Sequence, residues 1–463
     1  MTLGSDSNTA AGVRAALTLV WGIPTRRCPL ARRGRASCLS ATAERRERCP
    51  ERMRYNDACN SDVEEDVKIG VLAYRYNYYT NQKIIIDKVP GFTYVPVRDI
   101  YSYRRALALR INRLIGKPLI STFNLNNQFD DFDLNKVDVF HFSNGISYGK
   151  TPWVASFETI LPRFDHLVTR HQGNQPPDVL FTDLTRRALD AITSKACGRL
   201  IAWSQSAARI QKDLLSALPA AYTQPILDKM IVLHPPQKAL CEIREPRDVN
   251  SADPLRFIMV GAAFFRKGGR EVFRAFQKLA EEEQLPIKLI LVSSLRFEPY
   301  ASAETEEDLH WVQSVIAAHP AWLEYYPELP NAQVVELQKK ADAALLPSWA
   351  ETYGLSVIEA QACGCPVITT DIRAFPEINN ENIGWLIQVP KNNLGEALYT
   401  TAEERAVLSR QIQAGLEDTI RAIMADPAIV SIKGNAAVAR VRAEHDPQRY
   451  GETLRAIYEQ AAG

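Results

Sequence analysis

Short apolar runs of four to seven residues recur along this chain, each followed by a stretch in which apolar positions return every three or four. In the first half the runs fall at 67–73, 138–142, 153–157, 199–204 and 230–233. In the second they fall at 255–260, 287–292, 322–326, 343–346, 366–370 and 384–387. Runs of this length read as buried strands, and the stretches 101–115, 205–215, 270–283, 305–318, 334–340, 408–424 and 436–462 read as helices. Ser204 stands where it would cap the helix that starts at Gln205. Strands alternating with helices predict the α/β class with parallel sheets. The polar, proline-bearing stretch 235–254 has no period and divides the alternation in two. Two domains also suit a length of 463 residues, and either is long enough to bury a core.

The segment 341–371, ADAALLPSWAETYGLSVIEAQACGCPVITTD, carries most of the chemistry. Its apolar run stops at Pro347, a polar loop spans 348–353, and from Gly354 the pattern turns helical, with Leu355, Ile358 and Ala362 on one face and Glu359 on another. Gly364 and Pro366 close that helix before the next strand. The helix start therefore falls at the carboxyl end of a parallel strand, the ligand crevice of an open α/β sheet. Free amides at Gly354, Leu355 and Ser356 would point into this crevice and favour an anion such as a pyrophosphate. Glu351 and Glu359 frame it, and a pyrophosphate flanked by hydroxyl-accepting carboxylates describes a nucleotide-sugar. The loop 261–269, GAAFFRKGG, also joins a strand to a helix and puts Lys267 where a cation would neutralise a diphosphate. From spacing alone, a lysine on a surface loop is an equal reading, and a bare pair of glutamates so spaced can belong to any surface helix.

Glu351, seven residues and Glu359, set in PSWAETYGLSVIEAQACGCPVITTD, resemble the donor signature of retaining glycosyltransferases with two Rossmann-like domains (GT-B), the family 4-like glycosyl transferases group 1. Glycogen and sucrose synthases share that pattern. The resemblance implies a cleft between two Rossmann-like domains, with C-terminal helices crossing back to the first. It divides the chain into an extension over 1–65, an acceptor-binding domain over 66–236, a linker over 237–254, a nucleotide-sugar-binding domain over 255–440 and a returning helix over 441–463. It implies that Glu351 meets hydroxyls of the transferred sugar and Glu359 the ribose, with Gly261, Gly354, Leu355 and Ser356 along the nucleotide. Lys267 would stabilise the leaving diphosphate. The family usually has an arginine directly after the glycine, and here that position is Ala262; Arg266 can supply the missing guanidinium, whose fork suits phosphate. Many relatives carry a His-Asp pair where this chain has Phe157 and Glu158. Glu158, His141, the turn 143–145, His166 and His171 are the remaining first-domain candidates.

The activity implied is transfer of a sugar from a nucleoside diphosphate sugar to a hydroxyl acceptor (a glycan, a lipid or a small molecule) with retention. No cofactor is needed beyond the donor, and the candidate catalytic loops 261–269 and 348–353 carry no Asp-x-Asp motif, which fits metal independence. The alternative is a catalytically degenerate nucleotide-sugar-binding or scaffold protein on the same fold, favoured by Ala262 and Phe157. A hydride-transferring dehydrogenase is disfavoured because neither first-strand turn carries G-x-G-x-x-G. A phosphorylase would want a pyridoxal lysine context that is absent.

Composition changes this picture little. With 55 basic and 54 acidic residues the net charge is +1, so nothing global argues for nucleic acid. The hydrophobic share of 46% is that of an ordinary globular protein, and no run approaches the roughly 18 apolar residues of a membrane span. A cytoplasmic place is expected. The helix 101–115, with Arg104, Arg105, Arg110 and Arg113, reads first as a solvated face and leaves a peripheral place at a membrane surface open. The eight cysteines lack metal-like spacing and read as reduced thiols. Residues 1–65 are arginine-rich, hold Cys28, Cys38, Cys49 and Cys59, and show no period, which reads as a disordered extension, with Met53 a better start.

Overall fold

In the computed structural model the apolar runs pair side by side as parallel strands. The structure describes residues 67–463 apart from 76, 118, 173–180, 248–252 and 299. The expected extension over 1–65, and the start at Met53, lie outside the described residues.

The first lobe contains β1 (Lys68–Leu72), β2 (Thr93–Val97), β3 (Gln128–Phe129), β4 (Val139–Ser143), β5 (Ile146–Ser147), β6 (Trp153–Phe157), β7 (Cys197–Ala202) and β8 (Met230–Val232). Six of these form one sheet in the order β2-β1-β4-β6-β7-β8, while β3 and β5 pair separately. The second lobe contains β9 (Leu255–Val260), β10 (Ile287–Val292), β11 (Leu323–Tyr326), β12 (Ala343–Leu346), β13 (Val367–Thr370) and β14 (Gly384–Ile387), in the order β11-β10-β9-β12-β13-β14. That is the 3-2-1-4-5-6 order of a doubly wound nucleotide-binding sheet. Both are mixed α/β layers, two Rossmann-like domains. Strands such as β4, β6, β12 and β13 are buried along their whole length, as parallel strands covered on both faces must be.

Three departures from the sequence expectation have a plain physical cause. Strand β2 has the sequence TYVPV, and its proline hid it; Pro96 is tolerated because β2 is the sheet edge. The expected helix 436–462 is two, Ile429–Glu444 and Pro447–Ala462. Pro447 has no N–H to continue the ladder, and Asp446 restarts it by accepting from the Arg449 amide. The stretch 237–247 is no free linker. The Leu240 amide donates to the Ala362 carbonyl at 2.7 Å and the Arg244 amide to Asn435 Oδ1 at 2.7 Å, so the strap is tied down on the second lobe.

The last helix lies on the first lobe. Tyr458 Oη is 2.6 Å from His141 Nδ1, and Tyr450 Oη donates to the Ile84 carbonyl at 2.9 Å. Gly451 faces the Lys88 carbonyl so closely that a Cβ would strike it. Among the described residues four cysteines are present, all free, and no helix is long and apolar enough to cross a membrane.

Inside a helix, glycine to alanine normally stabilises by about 1 kcal/mol. At Gly451 the sign should reverse: Gly451→Ala is expected to destabilise by about 1–3 kcal/mol in urea unfolding, because the new methyl pushes the returning helix off the first lobe.

Candidate active site

Strands β9 and β12 are hydrogen-bonded neighbours, so the loops leaving their carboxyl ends run side by side. The Trp349 amide donates to the Arg266 carbonyl at 2.9 Å, and Arg266 Nη1 donates back to the Ala350 carbonyl at 2.7 Å. This lacing brings Lys267 Nζ to 2.9 Å from Glu351 Oε2, with Arg266 Nη1 at 3.7 Å from the same oxygen. Burial pushes the Glu351 carboxyl up, but Lys267 and Arg266 more than offset it and hold the group below the usual carboxylate range. Burial likewise lowers Arg266, and Glu351 and Glu298 reverse it, so its guanidinium binds its proton more tightly than usual. Gly261 makes room for the lysine stem: at φ 152° it leaves no space for a Cβ, which would stand 2.5 Å from Lys267 Cδ.

The helix Leu355–Ala362 begins at Gly354, whose φ of 93° and 2.5 Å approach to Phe375 both require glycine. No side chain caps this end, so its first-turn amides keep their bonding capacity for a ligand. Lys267, Glu351, Gly261, Gly354, Leu355, Ser356, Glu359 and Glu158 all line one cavity of about 410 Å³, closed on the first-lobe side by Tyr78, Tyr79, Thr80 and Trp203. The Trp203 indole N–H is buried without a partner at its wall. Arg266 lines an adjoining cavity of about 330 Å³, which shares Glu158, Glu351 and Thr352 with the first.

The two lobes touch around these cavities. Thr352 Oγ1 donates to Glu158 Oε2 at 2.8 Å, and Lys83 Nζ lies 2.5 Å from Glu359 Oε1, which also accepts from Tyr79 Oη. Glu377 accepts from the amides of Gln205 and Ser206 at 2.7 and 2.6 Å, an anion on a helix N-terminus. Lys83 gave no signal in the sequence, since its partner is 276 residues away.

Residues 242–417 match the model of the family described as Glycosyl transferases group 1. The matched segment begins in the strap and ends in the helix Ala402–Ala425, so it holds β9–β14 and most of the candidate residues. The chain is 26% identical over 121 residues to the O-antigen chain mannosyltransferase B of Escherichia coli, covering 26% of this chain and 30% of that protein. It is 25% identical over 217 residues to a glycogen synthase of Mycobacterium tuberculosis, covering 46% and 44%. The chain thus spans less than half the length of these curated relatives. Among solved structures, a glycosyltransferase from Rickettsia africae aligns at a TM-score of 0.49 and 14% identity over 86% of this chain and 99% of that one. Anabaena HepE, solved in complex with UDP, aligns at 0.49 and 12% over 80% and 86%.

Outside the matched segment the histidines fare differently from Glu158. His141 is fully buried between Tyr458 Oη and Ser156 Oγ at 2.6 and 2.7 Å, a core residue that meets neither cavity. His166 sits 3.0 Å from Thr185 Oγ1 and lines neither cavity, and the side chain of His171 lies outside the described residues. The turn 143–145 serves indirectly: Asn144 Oδ1 accepts from the Glu158 amide at 3.2 Å and Nδ2 donates to its carboxylate at 3.4 Å, setting the direction of Glu158.

Burial pushes His141 from the ordinary 6.5 down to about 3. The unfolded chain takes up a proton below about pH 6.5 that the folded one refuses until about pH 3. The neutral imidazole therefore contributes fully above 6.5, and its contribution falls by about 1.4 kcal/mol per pH unit through that window. In urea unfolding followed against pH, His141→Asn is expected to start less stable at neutral pH and to lose stability less steeply on acidification than the parent.

Proposed function

We propose that the protein is a retaining, metal-independent glycosyltransferase that uses a nucleoside diphosphate sugar. The observation that carries this reading is the 410 Å³ cavity, in which an uncapped helix N-terminus lies between Glu351 and Glu359, with Lys267 ion-paired to Glu351. The diphosphate would rest on the amides near Gly354 and on Lys267, with the ribose on Glu359 and the sugar hydroxyls on Glu351. Glu359 is held by Lys83 and Tyr79 in this structure, so donor entry would exchange those contacts for ribose hydroxyls. The adjoining 330 Å³ cavity, reached past Glu158 and Thr352, would take the acceptor.

In the reaction the bond from the sugar anomeric carbon to the phosphate oxygen breaks, and the acceptor oxygen bonds to the same face of that carbon. The acceptor proton passes to the departing phosphate oxygen, whose charge Lys267, Arg266 and the helix amides stabilise. No side chain need bond to the sugar. Contact between the lobes would exclude water, which limits donor hydrolysis.

A panel of nucleotide-sugars, read first by thermal stabilisation and then by release of the nucleoside diphosphate, tests the reading. At least one donor is expected to stabilise the protein and be turned over. Lys267→Ala is expected to lower kcat by about 10²–10³, some 2.7–4 kcal/mol of barrier. A folded Lys267→Ala protein with near-normal turnover would remove the proposed role, and donor binding with no turnover would favour the scaffold reading.

A further inference from the structure

Three arginines meet at the carboxyl ends of the first-lobe strands. Arg75 follows β1, and its Nη1 donates to the Ser143 carbonyl, at the end of β4, at 3.0 Å. Arg105 comes from the helix Ile100–Ile115, and the two guanidinium carbons lie 5.7 and 5.2 Å from the ring centre of Tyr74, which they share. Arg163 follows β6 and lines the 330 Å³ cavity with Glu158, Glu351 and Thr352.

No carboxylate forms an ion pair with any of the three among the described residues. The other arginines that line the cavity with Arg163 are matched: Arg266 with Glu298 and Glu351, Arg373 with Glu396. Nearby acids are engaged elsewhere: Asp99 accepts from the Ser102 amide at the start of its helix, and Asp165 from Asn124 and the His166 amide. The Nε atoms of Arg105 and Arg163 are shut away from solvent with no acceptor. Burial lowers the affinity of Arg75 for its proton, and Arg163 and Arg105 lower it further, as like charges held close together do. All three side chains are half-buried, and positive charge partly withdrawn from water with no carboxylate beside it favours an anion.

We infer that Arg75, Arg105 and Arg163 form a subsite for a phosphate monoester carried by the acceptor, whose hydroxyl then reaches Glu158 and Glu351. Guanidinium forks match phosphate oxygens in pairs, and several cations suit a dianion better than a carboxylate. The cluster sits on the first-lobe side of Glu351, so it does not compete for the donor diphosphate. The role rests on the glycosyltransferase reading; the anion site itself does not.

The test titrates inorganic phosphate into the full chain, the Arg75→Gln/Arg163→Gln double variant and Lys267→Ala, reading the thermal midpoint. A saturable rise is expected in the parent and in Lys267→Ala, with apparent affinity at least about tenfold weaker in the double variant. A rise lost in Lys267→Ala but kept in the double variant would place phosphate on the donor side alone and overturn the subsite. Should the double variant fail to fold, Arg163→Gln alone is held to the same comparison. Glycerol 3-phosphate and phosphatidic acid vesicles, set against phosphatidylcholine vesicles, then tell a soluble ester from a lipid headgroup, and binding of neither overturns the assignment. The nucleotide-sugar panel run on the same variants separates the two ideas. Donor stabilisation without phosphate binding sinks only the subsite, whereas phosphate binding without any donor sinks only the enzyme reading.

Discussion

A carboxylate withdrawn from water must be answered by a cation, and Glu351 has two, Lys267 and Arg266. Neither comes from its own loop. They arrive because β9 and β12 are neighbours in the sheet, at the point where the strand order reverses, and their loops run side by side. The lacing of Trp349 to Arg266 and of Arg266 to Ala350 fixes that crossing before any ligand is present. The charges a diphosphate would meet are thus already oriented, so little reorganisation is left for the moment of reaction. Removing a member of such a cluster leaves a buried charge less well compensated, so the chemistry proposed above and the local stability fall on the same residues.

Around this fixed centre, the contacts between the lobes are largely of a kind that a polar ligand can replace. Glu359 with Lys83 and Tyr79, Glu158 with Thr352, and Glu377 with two helix amides are hydrogen bonds or ion pairs at a solvent-reached seam. Each is worth little on its own beside the hydrophobic core of either lobe. Trp203 against Tyr353 is an aromatic exception, 5.9 Å between ring centres at the back of the cavity. An interface of this make-up holds the cleft together without sealing it.

The second lobe was the more legible half. Its strands are uninterrupted apolar runs, and the segment around Glu351 and Glu359 is local: strand, loop, helix and strand within about thirty residues, with glycine and proline marking each end. Lys267 was readable because it follows a strand and precedes a helix. What the sequence hid has a common physical cause, namely long range. Lys83 and Glu359, or Tyr458 and His141, meet only through tertiary packing, and no pattern along the chain joins them. His141 misled for the same reason, since a histidine near the carboxyl half of a strand looks catalytic until the returning helix is seen to cover it. Local rules failed in two places where context reverses them: Pro96 on an edge strand and Pro447 inside an apparently continuous helix.

The chain passes between the lobes twice, once before the strap and once before Pro447, and the two passages are bonded to each other. The Gln237 amide donates to the His445 carbonyl at 2.7 Å, and His445 Nδ1 lies 2.8 Å from the Pro235 carbonyl. A single passage would act as a swivel with several rotational freedoms. Two, clipped together on one side of the molecule, behave like the paired leaves of a door hinge, leaving one axis about which the lobes turn. Any opening of the cleft would then be a swing along a fixed arc, and each return would bring the same residues face to face.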